Sequence, residues 1–221
     1  ALQNMINIQK GDKVCAFIHV KNLSDQEYVQ NHYLIFATKN GLMKKTTLES
    51  YSRPRTNGII ALGLREDDRL IRVTLTDGKS QMLVASYNGK VVRFPEDTVR
   101  PMGRTATGVR AIKLDEDGKD RVVGMICVEE GSKDTVLVIS DKGYGKRTLL
   151  DDETGEPIYR ITNRGGKGVK TMNLTDKTGN LIGMEAVNDD QDHMLITKSG
   201  TAIRMEMSSI SAPASATQGV K

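Results

Sequence analysis

The chain has 221 residues, enough to bury a substantial core and to form one large domain or two smaller ones. Aromatic residues make up 4% of it and Trp is absent, so the core must consist of Val, Ile, Leu and Met. The 32 basic and 28 acidic residues leave a net charge of +4, which does not by itself establish a nucleic-acid partner. No apolar run approaches the roughly 20 residues of a membrane-spanning helix, so we expect a cytoplasmic protein without membrane contact.

A β-hairpin pattern occurs four times along the chain. Each copy has an apolar strand, a turn with glycine, and a second strand with a basic residue four positions after that glycine. The turn glycines and their basic residues are Gly41 and Lys45, Gly89 and Arg93, Gly143 and Arg147, and Gly200 and Arg204. The glycines are 48, 54 and 57 residues apart, a spacing typical of blade-type β architectures.

Two further elements recur around the hairpins. A short apolar strand is predicted after an acidic turn, near Asp12, Asp68, Asp120 and Asn180. A loop that ends in glycine and a β-branched residue follows each hairpin, at residues 55–59, 104–110, 164–170 and 215–221. Cutting after these glycine loops predicts one all-β domain over residues 1–221, with the repeat units 1–60, 61–110, 111–170 and 171–221. Because the chain begins and ends at the same phase of the repeat, we expect it to be a piece of a longer repeat array.

The segments between these elements carry weaker signals. Helical turns are predicted only at residues 48–51 and 96–99, directly after the first two hairpins. The insertions at residues 20–30 and 151–156 are predicted to be surface loops, because loop length varies around a constant strand pattern.

Nothing in the chain resembles an active site. His19, His32 and His193 are isolated and lack the spacing of metal ligands, and no nucleophile elbow or P-loop is present. Cys15 and Cys127 lie in apolar, strand-like runs, so we expect two buried thiols in a reducing compartment rather than a disulfide. We therefore predict no enzyme activity, metal or cofactor for this chain alone.

Basic residues gather in two parts of each repeat unit. Those after the turn glycine are Lys44, Lys45, Lys90, Arg93, Lys146, Arg147 and Arg204. Those in or beside the glycine loops are Arg53, Arg55, Arg100, Arg104, Arg110, Arg160, Arg164, Lys167 and Lys170. Acidic clusters lie elsewhere, so a wheel of such units would carry a positive belt suited to the phosphates of duplex DNA. The absence of an aromatic platform argues against single-stranded nucleic acid. Protection of edge strands by Lys and Arg explains the hairpin residues equally well.

The segments 102–110, 143–148 and 159–168 closely resemble the C-terminal domain of the bacterial DNA gyrase A protein, and the similarity extends over essentially the whole chain. The family's signature heptapeptide, Gln-Arg-Arg-Gly-Gly-Arg/Lys-Gly, is matched at five of seven positions by one loop. That box-like loop is Thr162, Asn163, Arg164, Gly165, Gly166, Lys167 and Gly168. The signature normally lies in the first blade, so we expect the true box upstream of Ala1. In the fourth unit Ser215 replaces Arg104 and Arg164 of the earlier loops, which predicts weaker DNA contact there.

The resemblance implies a β-pinwheel, a propeller-like wheel of four-stranded blades that exchange strands. It implies about four blades in this chain. These blades could be part of a six-bladed wheel. Duplex DNA would wrap around the basic perimeter, and the glycines of the box-like loop could donate N–H groups to phosphate. In the intact A2B2 enzyme, which also contains the gyrase B protein, wrapping would support ATP-dependent negative supercoiling in the bacterial nucleoid. ATP, Mg and the nucleophilic tyrosine would belong to other domains.

Two alternatives remain at the level of the sequence. The equivalent domain of the topoisomerase IV A protein would share the fold with a less regular wheel. A blade-type protein-interaction scaffold would not bind DNA, and would use aromatic hot spots that the three Phe and absent Trp make scarce.

Overall fold

The computed structural model describes residue 8, residues 11–210 and residue 212. Within these residues the chain forms a short α-helix, α1 (Gln26–Asn31), and thirteen β-strands. The strands are β1 (Tyr33–Thr38), β2 (Leu42–Thr47), β3 (Leu70–Thr76), β4 (Gln81–Ser86), β5 (Lys90–Pro95), β6 (Val109–Arg110), β7 (Val122–Val128), β8 (Thr135–Ser140), β9 (Gly145–Thr148), β10 (Val169–Lys170), β11 (Leu181–Val187), β12 (Asp192–Ile196) and β13 (Ala202–Glu206). The predicted all-β class is confirmed.

The strands form four sheets, which are the blades of the molecule. Blade 1 has the order β3-β1-β2-β6 and blade 2 the order β10-β5-β4-β7. In the described part of the chain, blade 3 contains β11-β8-β9 and blade 4 contains the hairpin β12-β13. The strand β7 packs against β3 on one side and β11 on the other, and these three strands form the hub. Because β6 and β10 lie at the opposite ends of their sheets, they form the outer edges of blades 1 and 2.

The predicted hairpins are present because their turn residues suit a tight reversal. Gly41 has φ +85° and donates its N–H to Thr38 O at 3.1 Å. Gly89 has φ +82° and makes the equivalent bond to Ser86 O at 3.0 Å. Glycine adopts this left-handed conformation without a steric penalty. The predicted helical turns after the first two hairpins are confirmed as 3₁₀ turns, Leu48–Tyr51 and Glu96–Thr98.

Neighbouring blades exchange strands, as the resemblance implied. In blades 1 to 3 the hairpin is joined on its inner side by a strand from the next repeat unit, as β1 is by β3 and β4 is by β7. The glycine loops return to the preceding hairpin on the outer side, where Met43 pairs with Val109 and Val91 pairs with Val169. The blades therefore do not coincide with the repeat units cut from the sequence.

The hydrophobic core lies between the blades. Because side chains alternate across a strand, one face of each hairpin in blades 1 to 3 packs on the preceding layer and the other on the next. Ile35 and Met43 of blade 1 meet Val92 and Phe94 of blade 2 in one buried cluster. The other face of blade 1 is covered by α1, whose Val29 is buried against the hairpin.

Three expectations about the first unit are wrong. Residues 12–20 contain no strand, so the short strand predicted after Asp12 does not form there. The insertion at residues 20–30 includes α1, which begins after Asp25, whose side chain accepts the Tyr28 N–H at 3.1 Å. Cys15 is exposed, since no sheet forms around it, whereas Cys127 lies on β7 and is largely buried. Burial raises the pKa of the Cys127 thiol well above its usual range.

Candidate nucleic-acid interface

Five of the basic side chains predicted to face DNA are buried. Their exposed fractions are 0% for Lys44, 4% for Lys45, 7% for Arg93, 3% for Lys146 and 5% for Arg147. The prediction of an outward-facing belt is wrong for these five, because both faces of their hairpins are covered by neighbouring layers. Edge protection does not explain Lys45 or Arg93 either, since β2 and β5 are interior strands.

The basic residue four positions after the turn glycine points at the next blade. Lys45 Nζ lies 2.9 Å from Glu96 Oε1, and both side chains are at most 5% exposed. The Glu96 carboxylate also accepts the Thr76 hydroxyl at 2.6 Å and the Ser80 N–H at 3.1 Å. These bonds offset the desolvation of the buried pair.

The same contact recurs in blades 2 and 3. Arg93 Nη1 donates to Asp151 Oδ1 at 2.7 Å and to Leu150 O at 3.2 Å. Arg147 Nη1 lies 2.6 Å from Asp189 Oδ1 and donates to Met207 O at 2.8 Å. We call Lys45, Arg93 and Arg147 the hairpin cations. Each one ties its own blade to residues at the end of the next hairpin or just before it.

Sequence reasoning misses the acidic partners of the hairpin cations, although the sequence contains a signal for two of them. Glu96 follows Arg93 by three residues and Asp151 follows Arg147 by four, so an acid comes soon after the basic residue of the same hairpin. That acid accepts the cation of the preceding blade rather than its own. Asp151 belongs to the insertion at residues 151–156, for which the sequence predicts only a surface loop.

Lys44 and Lys146 face the opposite side of their hairpins and bind backbone carbonyls. Lys44 Nζ donates to the carbonyl oxygens of Ala61 and Arg104. Burial and, secondarily, the charge of Arg104 lower the pKa of Lys44 to about 8. Lys146 Nζ donates to Thr171 O at 2.9 Å, and burial lowers its pKa as well. Both lysines therefore position loops from inside the protein.

Two other predicted residues sit in exposed or half-exposed ion pairs. The Arg204 side chain is 72% exposed, and its Nε donates to Asp192 on the neighbouring strand at 2.7 Å. Lys90 Nζ lies 2.5 Å from Asp115 Oδ1, and the two side chains are 29% and 35% exposed. The acidic turns are therefore not wholly separated from the basic residues. DNA contact by Lys90 and Arg204 stays a prediction.

The basic residues of the glycine loops are accessible. Arg53, Arg55, Arg100, Arg110, Arg160, Arg164, Lys167 and Lys170 are exposed, and Arg104 is half-buried. The loops that end in β6 and β10 run along the outer edges of blades 1 and 2. We call the basic residues of these loops the rim residues: Arg100, Arg104, Arg110, Arg160, Arg164, Lys167 and Lys170.

The two rim loops are built alike. Met102 N–H donates to Lys45 O at 2.8 Å, and Thr162 N–H donates to Arg93 O at 2.9 Å. Arg104 and Arg164 follow each of these residues by two positions, which gives them equivalent places in the two loops. A guanidinium has five donors, so the few carbonyl contacts of these arginines do not saturate them.

The glycines of the box-like loop serve close packing. Gly168 has φ +74°, and a Cβ at this position would lie 2.4 Å from Val91 O. Gly165 donates its N–H to Ala111 O at 2.7 Å, so the expectation that this N–H is available to phosphate is wrong. Thr162, Asn163, Arg164, Gly166 and Lys167 remain predicted contacts, with Asn163, Arg164 and Lys167 exposed.

Residues 11–210 show neither a metal centre nor a membrane-spanning helix. Within that range no group of three or more His, Cys, Asp or Glu could hold a metal ion. No helix there is long and apolar enough to cross a membrane. His32, one of the three histidines, has its Nδ1 2.8 Å from Tyr28 O.

Stacked blades, exchanged strands and a basic outer edge define a blade-type repeat protein of the β-propeller class. The family described as DNA gyrase C-terminal domain, beta-propeller, matches residues 32–77, 81–129, 134–188 and 193–221. The chain belongs to this family. The DNA gyrase A protein of Staphylococcus aureus (strain NCTC 8325 / PS 47) is 41% identical over 218 residues, which cover 99% of this chain and 23% of the relative. The chain thus spans about a quarter of that relative's length.

Solved structures agree on the fold. The C-terminal domain of DNA topoisomerase IV superposes with a TM-score of 0.84 at 23% identity, covering 99% of this chain and 64% of that one. A DNA gyrase A C-terminal domain gives a TM-score of 0.82 at 22% identity, covering 99% and 69%. The β-pinwheel architecture is confirmed by these neighbours and by the family.

Proposed function

We propose that the outer edge of the blades binds duplex DNA through its phosphates. The observation that carries this proposal is the contrast between two sets of basic residues. Hairpin cations are buried against the next blade, whereas rim residues are exposed or half-exposed on the outermost strands and loops. Arg104 and Arg164, and likewise Arg110 and Lys170, recur at equivalent places in two successive blades.

A curved row of cations suits a bent duplex. Phosphates recur along DNA regardless of sequence, so each neutralised phosphate adds affinity through counterion release. Bending a duplex site costs roughly 1–6 kcal/mol in smooth elastic estimates, so several contacts must act together to offset it. Phosphate contacts carry no sequence information, which makes this binding tolerant of sequence.

We further propose that the domain wraps DNA as part of the gyrase A protein in the bacterial cytoplasm. In this proposal the gyrase B protein completes an A2B2 enzyme, and ATP and Mg bound elsewhere drive negative supercoiling. The relative at 41% identity is a gyrase A protein. The likeness to a topoisomerase IV domain lies under 25% identity and supports the fold alone, so gyrase is the favoured parent.

Salt-dependent binding of a mixed-sequence duplex tests the proposal. We expect log affinity to fall linearly with log salt, with a slope of about −0.9 for each phosphate contact. The variant Arg110→Gln/Lys167→Gln/Lys170→Gln removes three exposed rim charges and should flatten the slope by about 0.9 for each lost contact. Arg69→Gln is the matched control, because Arg69 is exposed but lies directly before the hub strand β3.

A slope near zero for the wild-type chain would contradict duplex binding and favour the protein-interaction scaffold. Equal flattening per removed charge in Arg69→Gln and in the rim variant would show general electrostatic adhesion rather than a rim site. Unchanged melting temperatures would establish that the variants are folded.

A further inference from the structure

A polar cavity of about 410 Å³ lies beside blade 1. Arg53, Arg55 and Arg104 line it, together with Ser50 and Ser52. The first two arginines belong to the unpaired glycine loop of the first repeat unit, and the third belongs to the rim loop of blade 1. The cavity therefore joins two loops that are about 50 residues apart in the sequence.

The wall of the cavity is fixed from inside the protein. Buried Lys44 of β2 donates to the carbonyl oxygens of Ala61 and Arg104. These two hydrogen bonds tie both loops to β2. Tyr51 Oη donates to Ala61 O at 2.8 Å, and Arg104 Nη1 donates to Ile60 O at 2.9 Å. The guanidinium of Arg104 is thus held in place before any ligand binds, which lowers the entropic cost of binding.

The cavity has an excess of positive charge. No ion pair within residues 11–210 includes Arg53, Arg55 or Arg104. Glu49 is the acidic residue of the lining, and its carboxylate accepts the Gln30 amide at 3.5 Å. The lowered pKa of Lys44 agrees with this excess, because the charge of Arg104 contributes to it.

We propose that this cavity is a phosphate-binding site, formed by Arg53, Arg55 and Arg104. Guanidinium groups bind phosphate oxygens in a bidentate manner. The Ser52 hydroxyl already donates to Glu49 O at 2.8 Å, so the three arginines supply the donors of this site. The phosphate group comes either from the DNA backbone or from a free phosphorylated anion. The first source rests on the proposed function, whereas the second does not.

Titration of the 221-residue chain with inorganic pyrophosphate at constant ionic strength tests the site. We expect saturable binding with one-to-one stoichiometry by calorimetry. Arg53→Gln/Arg55→Gln should weaken it by at least about tenfold, since two charge-assisted contacts are lost. Glu49→Gln should strengthen it, because this change removes the opposing carboxylate. Arg65→Gln/Arg69→Gln is the matched control, because both arginines are exposed and belong neither to this cavity nor to the rim residues; its affinity should stay within about twofold.

Weak, non-saturating heat, or equal weakening by Arg65→Gln/Arg69→Gln and by Arg53→Gln/Arg55→Gln, would overturn the site. The exposure of Arg53 and Arg55 means that the double variant should keep the wild-type melting temperature. Glu49→Gln gives a second readout of opposite sign. A merely structural role for the arginines would not produce tighter binding in that variant.

Duplex binding on the same samples separates the two phosphate sources. Competition between pyrophosphate and duplex, with loss of duplex affinity in Arg53→Gln/Arg55→Gln, supports the DNA backbone as the source. Saturable pyrophosphate binding without an effect of these changes on duplex affinity supports a free anion. If the wild-type chain binds duplex with a steep salt slope but pyrophosphate binding is insensitive to the variants, the cavity inference fails and the proposed function stands. If duplex binding is absent while the cavity binds pyrophosphate, the proposed function fails alone.

Discussion

A charged side chain at the boundary between two blades must find a partner there, because burying an unpaired charge costs several kcal/mol. The hairpin cations meet this requirement in different degrees. Lys45 pairs with Glu96, which is 0% exposed as a side chain, whereas Arg147 pairs with Asp189, which is 70% exposed. The same position in the repeat therefore holds a fully desolvated pair in one blade and a half-solvated one in another.

This difference predicts unequal losses in the free energy of unfolding when the acidic partner is neutralised. Glu96→Gln leaves Lys45 buried beside an uncharged group, and we expect it to lower the free energy of unfolding by about 3–5 kcal/mol. Asp189→Asn is the matched control and should cost less than about 1 kcal/mol, since water screens the exposed carboxylate. Urea unfolding of both variants measures the two losses. Losses of equal size would contradict the structural role assigned to the buried pair.

At the scale of the element, the outer strands depend on close backbone approach. Val169 and Lys170 reach β5 only because Gly168 passes within contact distance of Val91. Gly108 has the same relation to Met43 in blade 1, where a Cβ would lie 2.3 Å from the Met43 carbonyl oxygen. These glycines place the basic loops along the rim, so their effect on function is indirect.

Gly168→Ala should therefore detach β10 from β5. The left-handed backbone alone costs about 1–2 kcal/mol for a residue with a side chain. Gly155→Ala carries that same cost, because Gly155 has φ +85°, but an added Cβ there meets nothing within 4 Å. We expect Gly168→Ala to lose clearly more stability than this control and to speed amide hydrogen exchange in β5. Similar losses in the two variants would refute the close-approach role.

How far the sequence predicts the structure depends on the range of the interaction. The hairpins around Gly41 and Gly89 are predicted well, because turn chemistry and strand propensity are local. Burial of Lys45 is not predictable in this way, since it depends on which element covers the hairpin. Local patterning would place a lysine outside, and only the stacking of blades on both faces of the sheet reverses this. The helix α1 is absent from the sequence-based prediction although Asp25 is a favourable N-cap residue.

At the scale of the whole molecule, the partners of the charged residues differ with distance from the hub. At the hub, Arg72 of β3 and Glu185 of β11 form a bidentate pair at 2.7 and 2.8 Å, which joins blades 1 and 3. Between the blades, the hairpin cations pair with acids. On the outer edge the exposed rim residues face solvent. Ion pairs thus join successive blades, and the exposed rim residues are the cations that we propose bind the duplex.

Ligation of a nicked DNA circle in the presence of the chain tests this account most directly, since wrapping changes the linking number whereas plain adhesion does not. We expect a shift in linking number that grows with protein concentration until saturation. The shift should shrink for Arg110→Gln/Lys167→Gln/Lys170→Gln and persist for Arg69→Gln. Bound circles with an unchanged linking number at saturating protein would contradict wrapping around the rim.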